Sequence, residues 1–165
     1  MTNEKTIWDY LTSQGLTPAG AAGLMGNLYA ESGLNPTNLQ NSYESKLGYT
    51  DATYTAAVDS GAYSNFAKDS AGYGLAQWTY WSRKQALLDY ARKKRKSVGD
   101  LTTQLGFLME ELSTDYKSVL GTLKSTGDVK TASNVVLLQY ERPADQGVAA
   151  QNARAKMGQS YYDKY

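Results

Sequence analysis

The stretch that most constrains the fold runs from Thr17 to Leu34 and reads as one helix of small and apolar residues. Thr17 is a favourable N-cap, and Pro18 fits the first helical position, where its missing N–H group costs nothing. Gly33 provides a C-terminal stop, because glycine readily adopts the left-handed conformation found there. The sequence therefore predicts a central helix around which the rest of the chain is organised.

One face of this helix ends in a carboxyl group. Ala21, Leu24 and Leu28 follow helical spacing, and the next position on the same face is Glu31. Glu31 lies in the last turn, where the helix dipole opposes ionisation, and partial burial acts in the same direction. Glu31 is therefore a candidate general acid that keeps its proton near neutral pH. The alternative is a structural glutamate that pairs with an arginine or reaches solvent at the helix end.

Composition limits the chemistry that this chain can perform. The 165 residues predict a single domain, 1–165, and include no His and no Cys. Histidine or thiol catalysis, disulfides, and zinc sites built on His or Cys are thereby excluded. The net charge of +1 argues against a nucleic-acid partner, and 14 Tyr with 3 Trp against 2 Phe suit polar ligands such as sugars. No cofactor or metal is implied, and we expect a monomer.

The N-terminal segment bears on localisation. It reads MTNEKTIWDY and lacks the hydrophobic region of a signal peptide. No apolar stretch reaches membrane-spanning length. We therefore expect synthesis in a cytosol without an ordinary leader, and no insertion into a membrane.

The rest of the pattern predicts an α+β domain that is mostly helical. Further helices are predicted near residues 5–14, 50–58, 82–96, 101–112, 114–123, 128–142 and 145–162. The polar connection at residues 35–70 is long and carries several aromatics, which is typical of an ordered functional loop. Gly72 and Gly74 predict a tight β-hairpin or a close backbone approach, and residues 75–79 are consistent with a short strand. This small insertion, a β-hairpin or an irregular segment, would flank a cleft beside the helices.

Carboxylate-driven glycoside cleavage fits a chain without His or Cys. Glu31 would protonate the leaving oxygen, and a second carboxylate would act as base, nucleophile or charge stabiliser. Asp69, before the glycine turn, is our candidate for that second group, and Glu44 and Glu141 are the other choices. Each has an alternative: Asp69 as a turn residue that bonds its own backbone, Glu44 as a surface charge, and Glu141 as an ion-pair partner of Arg142.

The residues that follow the predicted hairpin suit a saccharide ligand. Gln77, Trp78, Tyr80 and Trp81 offer hydrogen bonds and flat apolar faces for sugar rings. Core packing is the alternative for the two tryptophans, and we expect it for one of them.

Two segments taken together resemble the phage tail lysozyme family. They are GNLYAESGL at residues 26–34 and GYGLAQW at residues 72–78. This family comprises peptidoglycan-cleaving domains of the lysozyme-like superfamily, and the chain is more distantly similar to goose-type lysozymes and lytic transglycosylases. The resemblance extends over nearly the whole chain, including the segments IWDYL, NLQNSYE and ERPA.

The resemblance implies a lysozyme-like fold, a peptidoglycan substrate and Glu31 as the catalytic acid. It also implies a substrate-binding hairpin from Gly72 to Gln77, in which Tyr73 lies and from which Gln77 faces the cleft. We place Glu141 with the substrate-binding residues, at the floor of the cleft. The second carboxylate is left open by the resemblance, so Asp69 remains the candidate argued from the residues.

The leading hypothesis is a muramidase that hydrolyses the bond between N-acetylmuramic acid and N-acetylglucosamine in Gram-positive walls during phage infection or lysis. A lytic transglycosylase acting on the same bond is the alternative among enzymes. An inactive wall-binding or tail-structural module is the alternative from another class. We expect the protein to reach the wall either through a hole in the membrane or as part of a virion tail. Such a domain can also form part of a longer phage protein.

Overall fold

The computed structural model describes residues 2–165, which are mostly helical. Nine α-helices occur in this part of the chain, and α8 continues into a π-helical stretch, Val136–Glu141. The α-helices are α1 (Asn3–Ser13), α2 (Pro18–Ser32), α3 (Asn41–Leu47), α4 (Asp51–Ser60), α5 (Trp81–Lys94), α6 (Leu101–Thr114), α7 (Lys117–Ser125), α8 (Val129–Val135) and α9 (Val148–Lys164). The prediction of a mainly helical chain is confirmed, although α3 was not predicted.

The predicted β-hairpin is wrong, because residues 2–165 contain no strand. Tyr73 and Trp78 instead exchange two backbone hydrogen bonds, at 3.1 and 3.0 Å, and so close a tight turn. Gly74 turns the chain there with a φ of 83°. The side chains of Tyr73, Leu75 and Trp78 are all completely buried. An exposed hairpin strand needs side chains that alternate between core and solvent, and this alternation is missing.

Local signals set some helix ends and fail at others. The Thr17 hydroxyl accepts a hydrogen bond from Gly20 N at 2.9 Å, and Gly33 adopts a left-handed φ of 64°, so both predicted ends of α2 are confirmed. The helix predicted near residues 82–96 begins at Trp81 as α5, and its N-cap residue, Tyr80, makes no side-chain capping bond.

The described chain forms two compact units. Unit 1 comprises the residues up to Leu34 together with Met109–Tyr165, and unit 2 comprises Asn35–Leu108. In unit 1, helix α2 packs against α1, α7, α8 and α9. Every residue from Ala19 to Leu28 is buried, so α2 is enclosed on all sides rather than along the single predicted face. A helix that is apolar all round needs such neighbours.

Glycines let the neighbouring helices approach α2 closely. A Cβ atom added at Gly26 would lie 2.5 Å from the Arg154 carbonyl oxygen and 2.7 Å from the Gly158 nitrogen, both on α9. One added at Gly20 would lie 1.9 Å from the Leu123 carbonyl oxygen on α7. These distances are far below ordinary contact, so α2 and α9 can pack this closely only without a side chain at Gly26.

We expect Gly26→Ala to lower the free energy of unfolding by about 1–3 kcal/mol, because the backbone of α9 must move to admit the methyl group. Gly121→Ala, in the middle of α7, is the matched control. No atom lies within 4 Å of a Cβ built at Gly121, so this change should stabilise the helix by up to about 1 kcal/mol. Urea denaturation of both variants measures the difference, and equal effects would contradict the packing argument.

Unit 2 is organised by buried aromatic rings and one buried amide. Tyr54, Phe66 and Tyr73 are at most 1% exposed and pack with ring centroids 5.4–6.0 Å apart. Gln104 accepts a hydrogen bond from Leu75 N at 3.0 Å and donates to two backbone carbonyl oxygens at 2.7 and 2.8 Å. The polar connection is thus ordered by its aromatics, and Gln104 holds the tight turn in place.

No helix within residues 2–165 has both the length and the apolar character required to cross a bilayer.

Candidate active site

Glu31 lies where α2 leaves the core of unit 1. Leu28, one turn earlier, is completely buried, whereas Tyr29 is 46% exposed. The side chain of Glu31 itself is 15% exposed. Its carboxyl group is therefore largely desolvated while a route to solvent remains, which is the environment expected for a general acid.

An arginine from α9 lies beside this carboxyl group, as expected if Glu31 is a structural glutamate that pairs with an arginine. Arg154 Nη2 donates to Glu31 Oε2 at 3.5 Å, and Arg154 Nη1 donates to Asn27 Oδ1 at 3.0 Å. Asn27 is buried, and its Nδ2 donates to the carbonyl oxygens of Gly23 and Ser133 at 3.0 and 3.1 Å. The guanidinium group is thus anchored mainly by Asn27 and makes only a long contact with Glu31.

Opposing effects set the protonation of Glu31. Burial has the largest effect and raises the pKa of its carboxyl group. The charge of Arg154 and hydrogen bonds with Arg154 and Glu141 lower that pKa, and the net direction is upward from the ordinary value. Glu31 therefore keeps its proton to a higher pH than a solvent-exposed glutamate does.

Glu141 contributes a second carboxyl group to this site, where it acts to lower the pKa of Glu31. It ends the π-helical stretch that continues α8, and one of its carboxyl oxygens, Oε1, is buried. Single π-helical turns occur frequently at functional sites. Sequence reasoning placed Glu141 beside Arg142, whereas the structure brings it to Glu31.

A groove within unit 1 borders Arg154, the arginine that contacts Glu31. It has a volume of about 640 Å³ and lies between α2 and α9, with Tyr29, Ala30, Arg154 and Met157 in its lining. Arg154, which contacts Glu31, thus also borders an open surface. Neither Glu31 nor Glu141 is among the lining residues of this groove, so the route to solvent for the Glu31 carboxyl group is its own 15% exposure.

Asp69, the predicted second carboxylate, lies in unit 2 with its side chain 1% exposed. It accepts hydrogen bonds from the hydroxyls of Tyr54 and Tyr63 at 2.5 and 2.9 Å, from Lys84 Nζ at 2.6 Å and from Ala71 N at 3.0 Å. The bond to Ala71 is the turn contact stated as the alternative for this residue. These contacts favour a structural carboxylate, and a catalytic role for Asp69 remains an untested prediction.

The predicted substrate-binding residues of the turn are engaged inside unit 2. Tyr73 and Trp78 are 0% exposed, so Trp78 takes the core position expected for one tryptophan. Gln77 Nε2 donates to the carbonyl oxygens of Asn38 and Gly74 at 2.9 and 3.0 Å. Ligand contact by these side chains stays a prediction, and their present contacts hold the turn together.

Sequence reasoning did not identify Arg154 or Asn27 as part of the site. Asn27 lies one helical turn before Glu31, in the segment GNLYAESGL, so its spacing was an available signal. Arg154 is 123 residues from Glu31 along the chain, and no local pattern marks it.

The site and the two motif segments belong to a known kind of domain. A family model described as phage tail lysozyme matches residues 2–165. The match covers both compact units, the helix that ends in Glu31 and the turn closed by Tyr73 and Trp78. The chain therefore belongs to the phage tail lysozyme family.

Proposed function

We propose that this protein is an N-acetylmuramidase that cleaves the glycan strand of Gram-positive peptidoglycan during phage infection or lysis, with Glu31 as the general acid. Membership of the phage tail lysozyme family supports the coarser statement, a lysozyme-like peptidoglycan hydrolase with a peptidoglycan substrate. One observation carries the residue assignment: Glu31 is a largely buried carboxyl group with a raised pKa at the end of α2.

The reaction begins with proton transfer from Glu31 to the glycosidic oxygen. The bond between this oxygen and C1 of N-acetylmuramic acid breaks, and the N-acetylglucosamine side leaves as an alcohol. A water molecule then adds to C1, and its proton returns to the Glu31 carboxylate. The enzyme ends the cycle in its starting protonation state.

Arg154 and Glu141 support Glu31 after it has released its proton. Both act to lower the pKa of Glu31, which means that both stabilise its ionised form. Burial first keeps the proton on Glu31, and these two partners then stabilise the carboxylate that proton transfer creates. Asp69 has no part in this scheme.

The contact between the carboxyl groups of Glu31 and Glu141 bears on the second half of the reaction. Glu141 acts on Glu31 by stabilising its ionised form. We therefore assign it a supporting role, and the scheme names no second carboxylate as base or nucleophile.

A site in which Glu31 is the one assigned acid also fits a second candidate function, that of a lytic transglycosylase. A hydroxyl group of the muramic acid would then attack C1 in place of water, its proton would return to the Glu31 carboxylate, and an anhydro sugar would form. Such a reaction needs no second carboxylate to activate water.

Mass spectrometry of digested peptidoglycan tests the proposal. We expect new reducing ends of N-acetylmuramic acid, formed by the wild type and not by Glu31→Gln. Anhydromuramic ends would replace the hydrolase with the transglycosylase. Reducing ends of N-acetylglucosamine would contradict the assigned bond, and the absence of any new end would contradict a glycan-cleaving function.

A further inference from the structure

Two large aromatic side chains lie exposed side by side at the start of α5. Tyr80 is 64% exposed and Trp81 is 55% exposed. Their ring centroids are 6.2 Å apart, with the ring planes inclined by 37°. Clustered exposed rings are unusual on a soluble surface and commonly mark a binding site.

These rings border a groove of about 620 Å³ that lies wholly within unit 2. One wall comes from the segment around Asp69, and the other comes from residues 79–81. The lining residues described are Ala67, Lys68, Ser70, Thr79, Tyr80 and Trp81.

A buried ion pair fixes the two walls of this groove. Asp69 lies between the lining residues Lys68 and Ser70, and its carboxylate pairs with Lys84 Nζ at 2.6 Å. Lys84 is on α5, one turn after Trp81, and also donates to the Ala71 carbonyl oxygen at 2.7 Å. The binding surface is therefore built on a rigid support, and little order has to be gained when a ligand binds.

The chemistry of the lining indicates the ligand. Aromatic faces stack against the C–H faces of sugar rings, while the hydroxyls of Ser70 and Thr79 can exchange hydrogen bonds with sugar hydroxyls. Among the described lining residues, Lys68 alone is charged, and its neighbour Asp69 turns inward to Lys84. An exposed ammonium group beside the two exposed rings suits a saccharide that carries a carboxylate.

We propose that this groove binds the glycan strand through a sugar bearing a carboxylate, the chemistry of N-acetylmuramic acid with its lactyl or peptide substituent. The proposal rests on the proposed peptidoglycan substrate and adds a binding subsite in unit 2. The stacked rings hold the sugar, and Lys68 distinguishes the acidic sugar from the neutral one.

Tryptophan fluorescence reports directly on this groove. Trp8 and Trp78 are only 8% and 0% exposed. A change in tryptophan emission on ligand binding is therefore assigned to Trp81. In Glu31→Gln, which leaves the ligand intact, soluble glycan fragments containing N-acetylmuramic acid should shift and quench the emission. Lys68→Gln should weaken this binding about 5-fold, and should leave binding of N-acetylglucosamine oligomers unchanged. An unperturbed spectrum, or equal loss for both ligands, would overturn the proposal.

Sedimentation with purified walls supplies a second measurement. In the Glu31→Gln background, Tyr80→Ser combined with Trp81→Ser should weaken binding at least about 10-fold, and Trp81→Phe should retain most of it. Tyr162→Ser is the matched control, because Tyr162 is 42% exposed but lies in unit 1. Unchanged sedimentation of the double variant would overturn the proposal, with circular dichroism confirming that each variant is folded.

The anionic polymers of the wall are a separate class of ligand. Sedimentation with walls from which these polymers have been removed distinguishes them from the glycan. We expect binding to persist on walls stripped of teichoic acids, and its loss on such walls would overturn the glycan assignment. Because binding is measured without cleavage, a protein that binds but never cleaves would refute the proposed hydrolase and leave this subsite standing.

Discussion

Replacing Glu31 with glutamine is expected to reduce the rate of wall cleavage by about 10²–10⁴-fold. The amide keeps the size of the side chain and its place at the end of α2, but it has no proton to give to the leaving oxygen. Turbidity of a suspension of purified walls measures the rate. Glu110→Gln, an exposed change on α6, is the control and should retain full activity. Comparable activity in the Glu31 variant would remove the basis for the mechanism.

The same substitution should make the protein more stable at neutral pH. Burial raises the pKa of Glu31 above its ordinary value of 4.5. The stabilising contribution of such a group is complete below the unfolded pKa and is lost as the pH rises through the folded pKa. Thermal unfolding should therefore show Glu31→Gln close to wild type below pH 4.5 and more stable than wild type at higher pH. The opposite trend would indicate that the carboxylate form is the one favoured by folding.

Arg154 provides a further check on the protonated state of Glu31. A general acid loses activity as the pH rises through its pKa. Because the charge of Arg154 lowers the pKa of Glu31, Arg154→Met should move this loss of kcat/KM to higher pH. Lys130→Met removes an exposed charge and should leave the profile in place. A shift to lower pH would contradict the assignment of Glu31 as the acid.

The largest effect on stability is expected from Lys84→Met, at about 3–5 kcal/mol. Lys84 and Asp69 have side chains that are 0% and 1% exposed. Removing the ammonium group leaves a carboxylate buried without its counter-charge, although Tyr54 and Tyr63 still donate to it. Lys93→Met, at an exposed position on the same helix, should change stability by no more than about 0.5 kcal/mol. Urea denaturation gives both values.

A double variant separates the loss of the pair from the cost of the stranded charge. Lys84→Met with Asp69→Asn should be more stable than Lys84→Met alone, because no buried charge is left uncompensated. Additive destabilisation would contradict this account. The single variant Asp69→Asn also tests the catalytic hypothesis: if Asp69 is structural, its folded fraction should keep the wild-type kcat, and any loss of activity should appear in KM.

Much of α2 and the position of Glu31 could be determined from the sequence. Thr17, Pro18 and Gly33 act on backbone groups within a few residues, so the helix ends follow from local chemistry. Helical spacing then places Glu31 in the last turn, beyond Leu28, whatever packs around the helix. The two short motifs also indicated the family, because they are local strings of residues.

The same local reasoning failed for the turn at residues 72–78. Gly72 and Gly74 correctly marked a change of direction, but they did not show that Gln104, far along the chain, would bind the turn and enclose it. The choice between Trp78 and Trp81 was equally undetermined. The structure buries the first and exposes the second, since burial depends on neighbours that sequence spacing does not specify.

Only the tertiary structure decided which carboxyl groups meet. It brings Glu141 and Arg154 to Glu31, and it pairs Asp69 with Lys84. The sequence determined the elements that carry these side chains, because caps, spacing and turn residues act over one or two helical turns. Ion pairing and the pKa of a buried acid depend instead on desolvation and on groups more than a hundred residues away, so they arise only when the helices pack.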